Sequence, residues 1–377
     1  IYSIEMIFFQ TLLVVLYIYL IIQNYNRFKN NNITLALTIV TTVLATVMLF
    51  SSNTANFDWS EVELDMSGYR TVYEKYDVLE HPDFKMYYVF YSSMYIGQQL
   101  GMSFRVWWGV MSVIAMCVVL FACKIHKFSF NLFLATFMAY YEMVFYSGFK
   151  FFYGFCVFLW AFGFLLRNTN KDKIIFAIIT CLAGGLHVMY YFFLIFLLKP
   201  IKKPKAIVNI IVIVTIFFTT MMRLSGSAAA FMAPFFSALD NEHISGYTLA
   251  TVNMGFYIAV ILHLIVVFAI IKMRNLKKQV DPSNVSIDTL YYLVLLSLLF
   301  IPFYAIALTF MRLITSFSLV ALVASSCIMI NSKKERALCR NMSILIVSSF
   351  LLMQLLISYG SPRGFIEVSI KPFFDVL

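Results

Sequence analysis

Apolar stretches separated by short polar segments run at about 4–23, 33–51, 104–123, 128–147, 151–167, 173–186, 188–200, 206–222, 254–272, 288–306, 311–330 and 341–359. None alternates apolar and polar residues, which excludes the strands of an outer-membrane barrel and leaves helices. Most are long enough, at 1.5 Å per residue, to cross about 30 Å of hydrocarbon. The pattern predicts an all-α, polytopic integral membrane protein with about 11–12 transmembrane helices. It forms one transmembrane domain over 1–377, with a large outer loop at 52–103 and a second at 223–253.

The topology turns on Asp172 to Lys205. Ile174–Leu198 is one apolar run, yet Lys171 and Lys173 precede it, and Lys199, Lys202, Lys203 and Lys205 follow. A single crossing would put one lysine group on the wrong face of the membrane. Gly184-Gly185 at mid-run is where two short helices can break and turn back, so the pattern predicts a broken helical hairpin near 173–200 with His187 at its tip. With the N-terminus outside, the hairpin leaves 19 of the 28 Lys and Arg in cytoplasmic loops, whereas a single crossing leaves 11. The positive-inside rule favours the hairpin.

Composition agrees: 62% of residues are hydrophobic and 12% charged. The net charge of +10 suggests nucleic acid only until the basic residues are mapped to membrane-flanking loops, so no nucleic-acid partner is expected. The six cysteines lie mostly in apolar runs without CxxC spacing and read as packing residues. No basic leader precedes the first run, so a cleaved signal peptide is not expected. The first outer loop is acidic. Within it Asp65, Tyr69 and Tyr73 recur every four residues, which places them on one face of a short helix. Phe84–Leu100, rich in Tyr, Phe and Met but broken by Ser and Gln, reads as an interfacial helix at headgroup depth.

The polar residues that interrupt apolar runs fall at the outer face. Lys150 lies in a tight turn between two spans, His187 tops the hairpin, Arg223 ends a span and Arg312 begins one. Glu142 lies about two turns below that face. Ionisable residues at such depth face a bundle interior or a water-filled cavity, and converging cations suit a pyrophosphate. Each has a plainer role: Lys150, Arg223 and Arg312 snorkel to headgroups, Glu142 is a partner for a cation, and His187 satisfies a carbonyl freed at the glycine break. His263, in mid-span among apolar neighbours, reads as structural. No Walker A, HExxH, GxSxG or dinucleotide fingerprint occurs.

The combination Asp65-x3-Tyr69-x3-Tyr73, Gly148-Phe149-Lys150-Phe151, a small-residue run ending in His187, and Arg312 resembles the EpsG-like branch of Wzy-type bacterial polysaccharide polymerases, which make O-antigen, capsule or exopolysaccharide. One departure is Lys150-Phe151, where that family usually carries Arg, often followed by Gln. The resemblance implies a multi-pass glycosyltransferase of the bacterial plasma membrane with its site facing outside. It would transfer a growing glycan from undecaprenyl pyrophosphate onto a lipid-linked repeat unit, with no cofactor and no metal. Catalytic roles then fall to His187, Asp65 and Arg312, and substrate binding to Lys150, Glu142, Arg223, Tyr69 and Tyr73. The partners implied are the lipid-linked oligosaccharide as donor and acceptor and the bilayer, with room for a chain-length regulator. Two alternatives stay open. One is a metal-dependent glycosyltransferase using polyprenyl-linked sugars, with Glu63 and Asp65 as ligands. The other is a flippase for lipid-linked saccharides.

Overall fold

The computed structural model describes residues 65–136, 142–198, 204–224, 254–304, 310–329 and 331–353. The runs expected at 4–23 and 33–51, most of the 223–253 loop and the tail beyond 353 lie outside the described residues. Among the described residues every regular element is helical. Four segments among the described residues are long and apolar enough to cross a membrane: Phe104–His126, Phe256–Val280, Val285–Tyr304 and Met311–Ile328. The protein is an all-α, multi-pass membrane protein.

Helix α1 (Asp65–Lys75) and α2 (Tyr88–Gln99) precede α3 (Phe104–His126), which the Ser103 hydroxyl caps by accepting from the Val106 N–H. After the short α4 (Phe130–Thr136), helix α5 (Glu142–Leu165) runs beside α3 in the same direction. Ser112 Oγ lies 3.0 Å from Tyr153 Oη near one end of the pair, and His126 Nε2 lies 3.1 Å from the Trp160 carbonyl near the other. Helix α6 (Asn170–Leu186), N-capped by Thr169, climbs back along α5 and ends at His187.

A ten-residue 3-10 helix, Val188–Leu197, then descends. Its rings step down α5: Tyr190 stacks on Phe151 at 5.4 Å and Phe193 on Phe158 at 4.2 Å, while Phe196 meets Phe317 at 5.2 Å. The hairpin is therefore present, but two of its details differ from the sequence expectation. The helix continues through Gly184-Gly185 and breaks at His187, whose N–H still closes the last turn on the Ala183 carbonyl at 2.9 Å. The glycines serve close packing instead. A Cβ on Gly184 would lie 2.6 Å from Tyr191 Cδ1, and one on Gly185 2.7 Å from Tyr88 Cζ. The descending half is also 3-10 rather than α.

One further expectation is corrected. Lys150 does not lie in a turn between spans ending at 147 and starting at 151, because α5 passes through it without interruption. Aromatic rings accommodate its ammonium, so the charge does not require a chain boundary. Helix α2 packs one face on the bundle and leaves Tyr88 and Ile96 exposed. Phe90, Tyr91 and Met94 of α2 are buried against protein, and the Trp107 indole N–H donates to the Ser93 carbonyl at 2.9 Å.

Helices α7 (Pro204–Leu224), α8 (Met254–Val280), α9 (Val285–Ser297), α10 (Ile301–Tyr304), α11 (Met311–Ile328) and α12 (Lys333–Met353) complete the described chain. A 3-10 turn, Leu298–Phe300, joins α9 to α10 ahead of Pro302. His263 braces that kink. Its Nε2 lies 2.9 Å from Ser297 Oγ and its Nδ1 3.0 Å from Tyr304 Oη, so one buried imidazole links both sides of the break. This is the structural role the sequence suggested.

Charged pairs gather at the Arg167 end of the bundle. Arg274 and Lys278 both meet Asp288, and Arg167 lies 3.9 Å from Asp172. Lys277 pairs with Glu335 at 3.2 Å, fully buried. The described basic loops around 124–127, 167–173, 272–278 and 333–340 thus share one end, opposite His187.

Candidate functional site

At the other end, the break after α6 presents His187, only 5% exposed. Its ring is 5.0 Å from Phe151, 5.8 Å from Tyr87 and 6.3 Å from Tyr190. The Met189 N–H donates to His187 Nδ1 at 3.4 Å, so the imidazole caps the first turn of the 3-10 helix. The carbonyl of Ala183 is taken by the His187 backbone. The histidine side chain is therefore not engaged with carbonyls at the glycine pair, the plainer role considered for it.

Lys150 is half-buried two turns into α5. Its Nζ lies 3.8 Å from the centroid of Tyr87, 4.8 Å from Tyr69 and 5.9 Å from Phe90, a cage of three rings contributed by α1 and the start of α2. Arg312, the second residue of α11, holds its guanidinium 5.4 Å from the Phe151 ring. Tyr87 thus lies between Lys150 and His187, and Phe151 between His187 and Arg312. Among the described residues Arg312 has no carboxylate partner, and its guanidinium carries five N–H donors in a planar fork.

Four of the residues singled out from the sequence come together here: Lys150, His187, Arg312 and Tyr69. Tyr73 shares the face of α1 but is turned to a different task. Its hydroxyl donates to the Met102 carbonyl at 2.9 Å and its ring stacks on Trp107 at 5.5 Å, locking α1 to the start of α3. Burial pushes its phenol up, so it remains a neutral donor. Asp65 begins α1, Glu142 begins α5 and Arg223 lies at the end of α7, with their side chains outside the described residues. Glu142 is eight residues before Lys150 on the same helix, not on a separate span as expected. Among the described residues no group of three His, Cys, Asp or Glu is placed to hold a metal, and Glu63 lies outside them.

Tyr87 and Phe151 were missed by sequence reasoning. Phe151 was visible only as the residue beside Lys150, and nothing local distinguished Tyr87 from the other tyrosines of its segment.

These features define a class: a polytopic helical membrane protein that carries a cationic, aromatic-walled site at one end of its bundle. The chain belongs to the EpsG family, whose sequence model matches residues 46–372. That membership makes it a membrane protein of the polysaccharide-polymerase type, a glycosyltransferase in general terms. No curated protein and no solved structure matches it.

Proposed function

We propose that the protein polymerises polysaccharide at the outer face of the bacterial plasma membrane, moving a growing glycan from undecaprenyl pyrophosphate onto a lipid-linked repeat unit. The observation that carries this reading is the convergence of Lys150 and Arg312 on His187 at the end of the bundle opposite the basic loops. A lipid pyrophosphate is an anionic leaving group. Preorganised cations stabilise the charge that develops on it as the glycosidic bond breaks. Arg312 supplies a planar fork suited to two phosphate oxygens, and Lys150 supplies a point charge fixed by its rings.

In the transfer, the sugar C1–O bond to the pyrophosphate breaks and its electron pair stays on that oxygen. A new C1–O bond forms from the acceptor hydroxyl, whose proton passes to a base, for which His187 and Asp65 are the candidates. The chemistry draws on no cofactor. The acceptor enters on its own lipid carrier, so a chain-length regulator would act on the growing product.

Purified protein supplied with lipid-linked repeat units, with and without chelator, tests this. Laddered products that persist under chelation are expected. Single transfers lost on chelation would mean a metal-dependent glycosyltransferase, and transbilayer movement without products a flippase.

A further inference from the structure

We infer that His187 works as a neutral hydrogen-bond donor through Nε2–H to a pyrophosphate oxygen of the lipid-linked donor, and not as the base that takes the acceptor proton. This rests on the polymerase reading for the identity of the ligand, but the donor state itself rests on geometry. A backbone N–H can only donate, so the contact from the Met189 N–H fixes Nδ1 as an acceptor. A neutral imidazole carries one proton, which must then be on Nε2. A second proton on Nδ1 would meet the Met189 N–H head-on.

The ring is held in this sense from three sides. Phe151 packs edge-on at 5.0 Å, Tyr87 lies at 5.8 Å, and the 3-10 helix begins immediately beneath the capped nitrogen. With Nδ1 turned to the protein backbone, Nε2 is the nitrogen left to face a ligand. It carries a proton there and has no lone pair to accept one. Lys150 lies across Tyr87 from the ring and Arg312 across Phe151, so the three groups form one donor set: an ammonium, an N–H and a guanidinium. Such a set matches the oxygens of a pyrophosphate, and it strengthens toward the bridging oxygen as the C1–O electron pair arrives there. The acceptor proton then goes to a carboxylate. Asp65 fits that role, four residues and one turn from Tyr69 on α1, the helix that walls Lys150.

Two substitutions separate the roles, measured in full-length protein on lipid-linked repeat units at matched folded amounts. Gln places an amide donor where Nε2–H was, whereas Asn places an acceptor where Nδ1 was and keeps the Met189 cap. His187→Gln is expected to extend chains within about 10-fold of the natural protein, and His187→Asn to fold normally but lose about 100-fold, the scale of a lost oxyanion donor. Equal losses of about 100-fold in both variants would overturn the proposal in favour of a base. Full activity in both would remove His187 from the reaction.

The tautomer is read independently of activity. Nitrogen NMR of histidine-labelled protein, with the His187→Gln sample identifying the signal among the five histidines, should show a bare Nδ1 and a protonated Nε2. The opposite tautomer would overturn the proposal. A protein that makes no product but shows Nε2–H would fail as a polymerase while leaving the donor assignment standing.

Discussion

Gly154→Ala tests the packing that holds His187 in place. Gly154 lies on α5 against the descending 3-10 helix. A Cβ there would lie 2.6 Å from Tyr190 Cδ2, closer still to Cε2, and 3.3 Å from the Ala183 carbonyl oxygen. Tyr190 cannot step aside cheaply. Its hydroxyl donates to the Phe151 carbonyl at 2.9 Å, lies 3.3 Å from Ser316 Oγ, and its ring is wedged between Phe151 and Phe158. Helix propensity alone favours alanine by about 1 kcal/mol. Against that stand about 1–3 kcal/mol for overpacking a full core and about 1–3 kcal/mol for a buried hydroxyl pulled from its partner. The net is a loss of about 1–5 kcal/mol. Gly68→Ala in α1 is the control, because nothing lies within 4 Å of its Cβ and the same propensity should make it neutral or stabilising by about 1 kcal/mol. Heating in detergent followed by size-exclusion chromatography would rank them: Gly154→Ala melts below the natural protein and Gly68→Ala does not. Chain extension should fall with Gly154→Ala, and shortening the ring with Tyr190→Leu should restore part of its stability. Equal melting of the two alanine variants would refute the close approach of α5 and the 3-10 helix.

Glu335→Gln leaves Lys277 buried without its countercharge and should cost about 3–5 kcal/mol, while Lys277→Met combined with Glu335→Leu should melt much closer to the natural protein; the same heating assay reads both. Arg312→Lys keeps the charge but loses the fork, so chain extension should drop at least 10-fold, and Arg312→Ala about 100-fold, in membranes with equal protein. An Arg312→Ala protein with normal rates would take the guanidinium out of the site. Single cysteines introduced near 170, 202, 276 and 335 should resist an impermeant probe in intact cells, and those near 70 and 235 should react. Labelling at position 202 from outside would reverse the assigned sidedness.

Much of this arrangement is legible in the sequence because a membrane imposes level as well as hydrophobicity. Lys150, His187 and Arg312 interrupt different apolar runs, yet each run must bring its polar residue to the same end, so their grouping could be read before any contact was known. The double glycine was ambiguous for a physical reason. Lacking a Cβ suits both a turn and a tight approach, and only the distant rings of Tyr191 and Tyr88 decide for packing. Lys150 misled in the same way. A lysine in an apolar run signals a boundary unless aromatic rings surround it, and these come from Tyr69, Tyr87 and Phe90, some sixty to eighty residues away. The shared face of Asp65, Tyr69 and Tyr73 was readable from spacing. What each residue touches was not, because Trp107 and Met102 compete with Lys150 for the same helix face.

The descending half of the hairpin shows how the sequence fixes an uncommon helix and, through it, the candidate catalytic ring. 3-10 runs longer than three or four residues are rare because their hydrogen bonds are poorer, yet this one spans ten. Its sequence has a period of three. Tyr190, Phe193 and Phe196 are all buried, and residues three apart eclipse one another in a 3-10 helix. On an α-helix the same three positions would wind away by about 60° per step and leave part of the row facing lipid. On the 3-10 helix they form one aromatic ridge that meets Phe151, Phe158 and Phe317 in turn, and that contact offsets the weaker backbone bonds. The tighter helix also advances about 2.0 Å per residue, so ten residues descend about 20 Å where an α-helix would cover about 15 Å. His187 lies just ahead of this ridge, as the extended residue whose ring caps its first turn. The packing that selects the 3-10 form therefore also presents the Met189 N–H to Nδ1 and leaves Nε2 as the nitrogen that carries the proton in the proposed donor role.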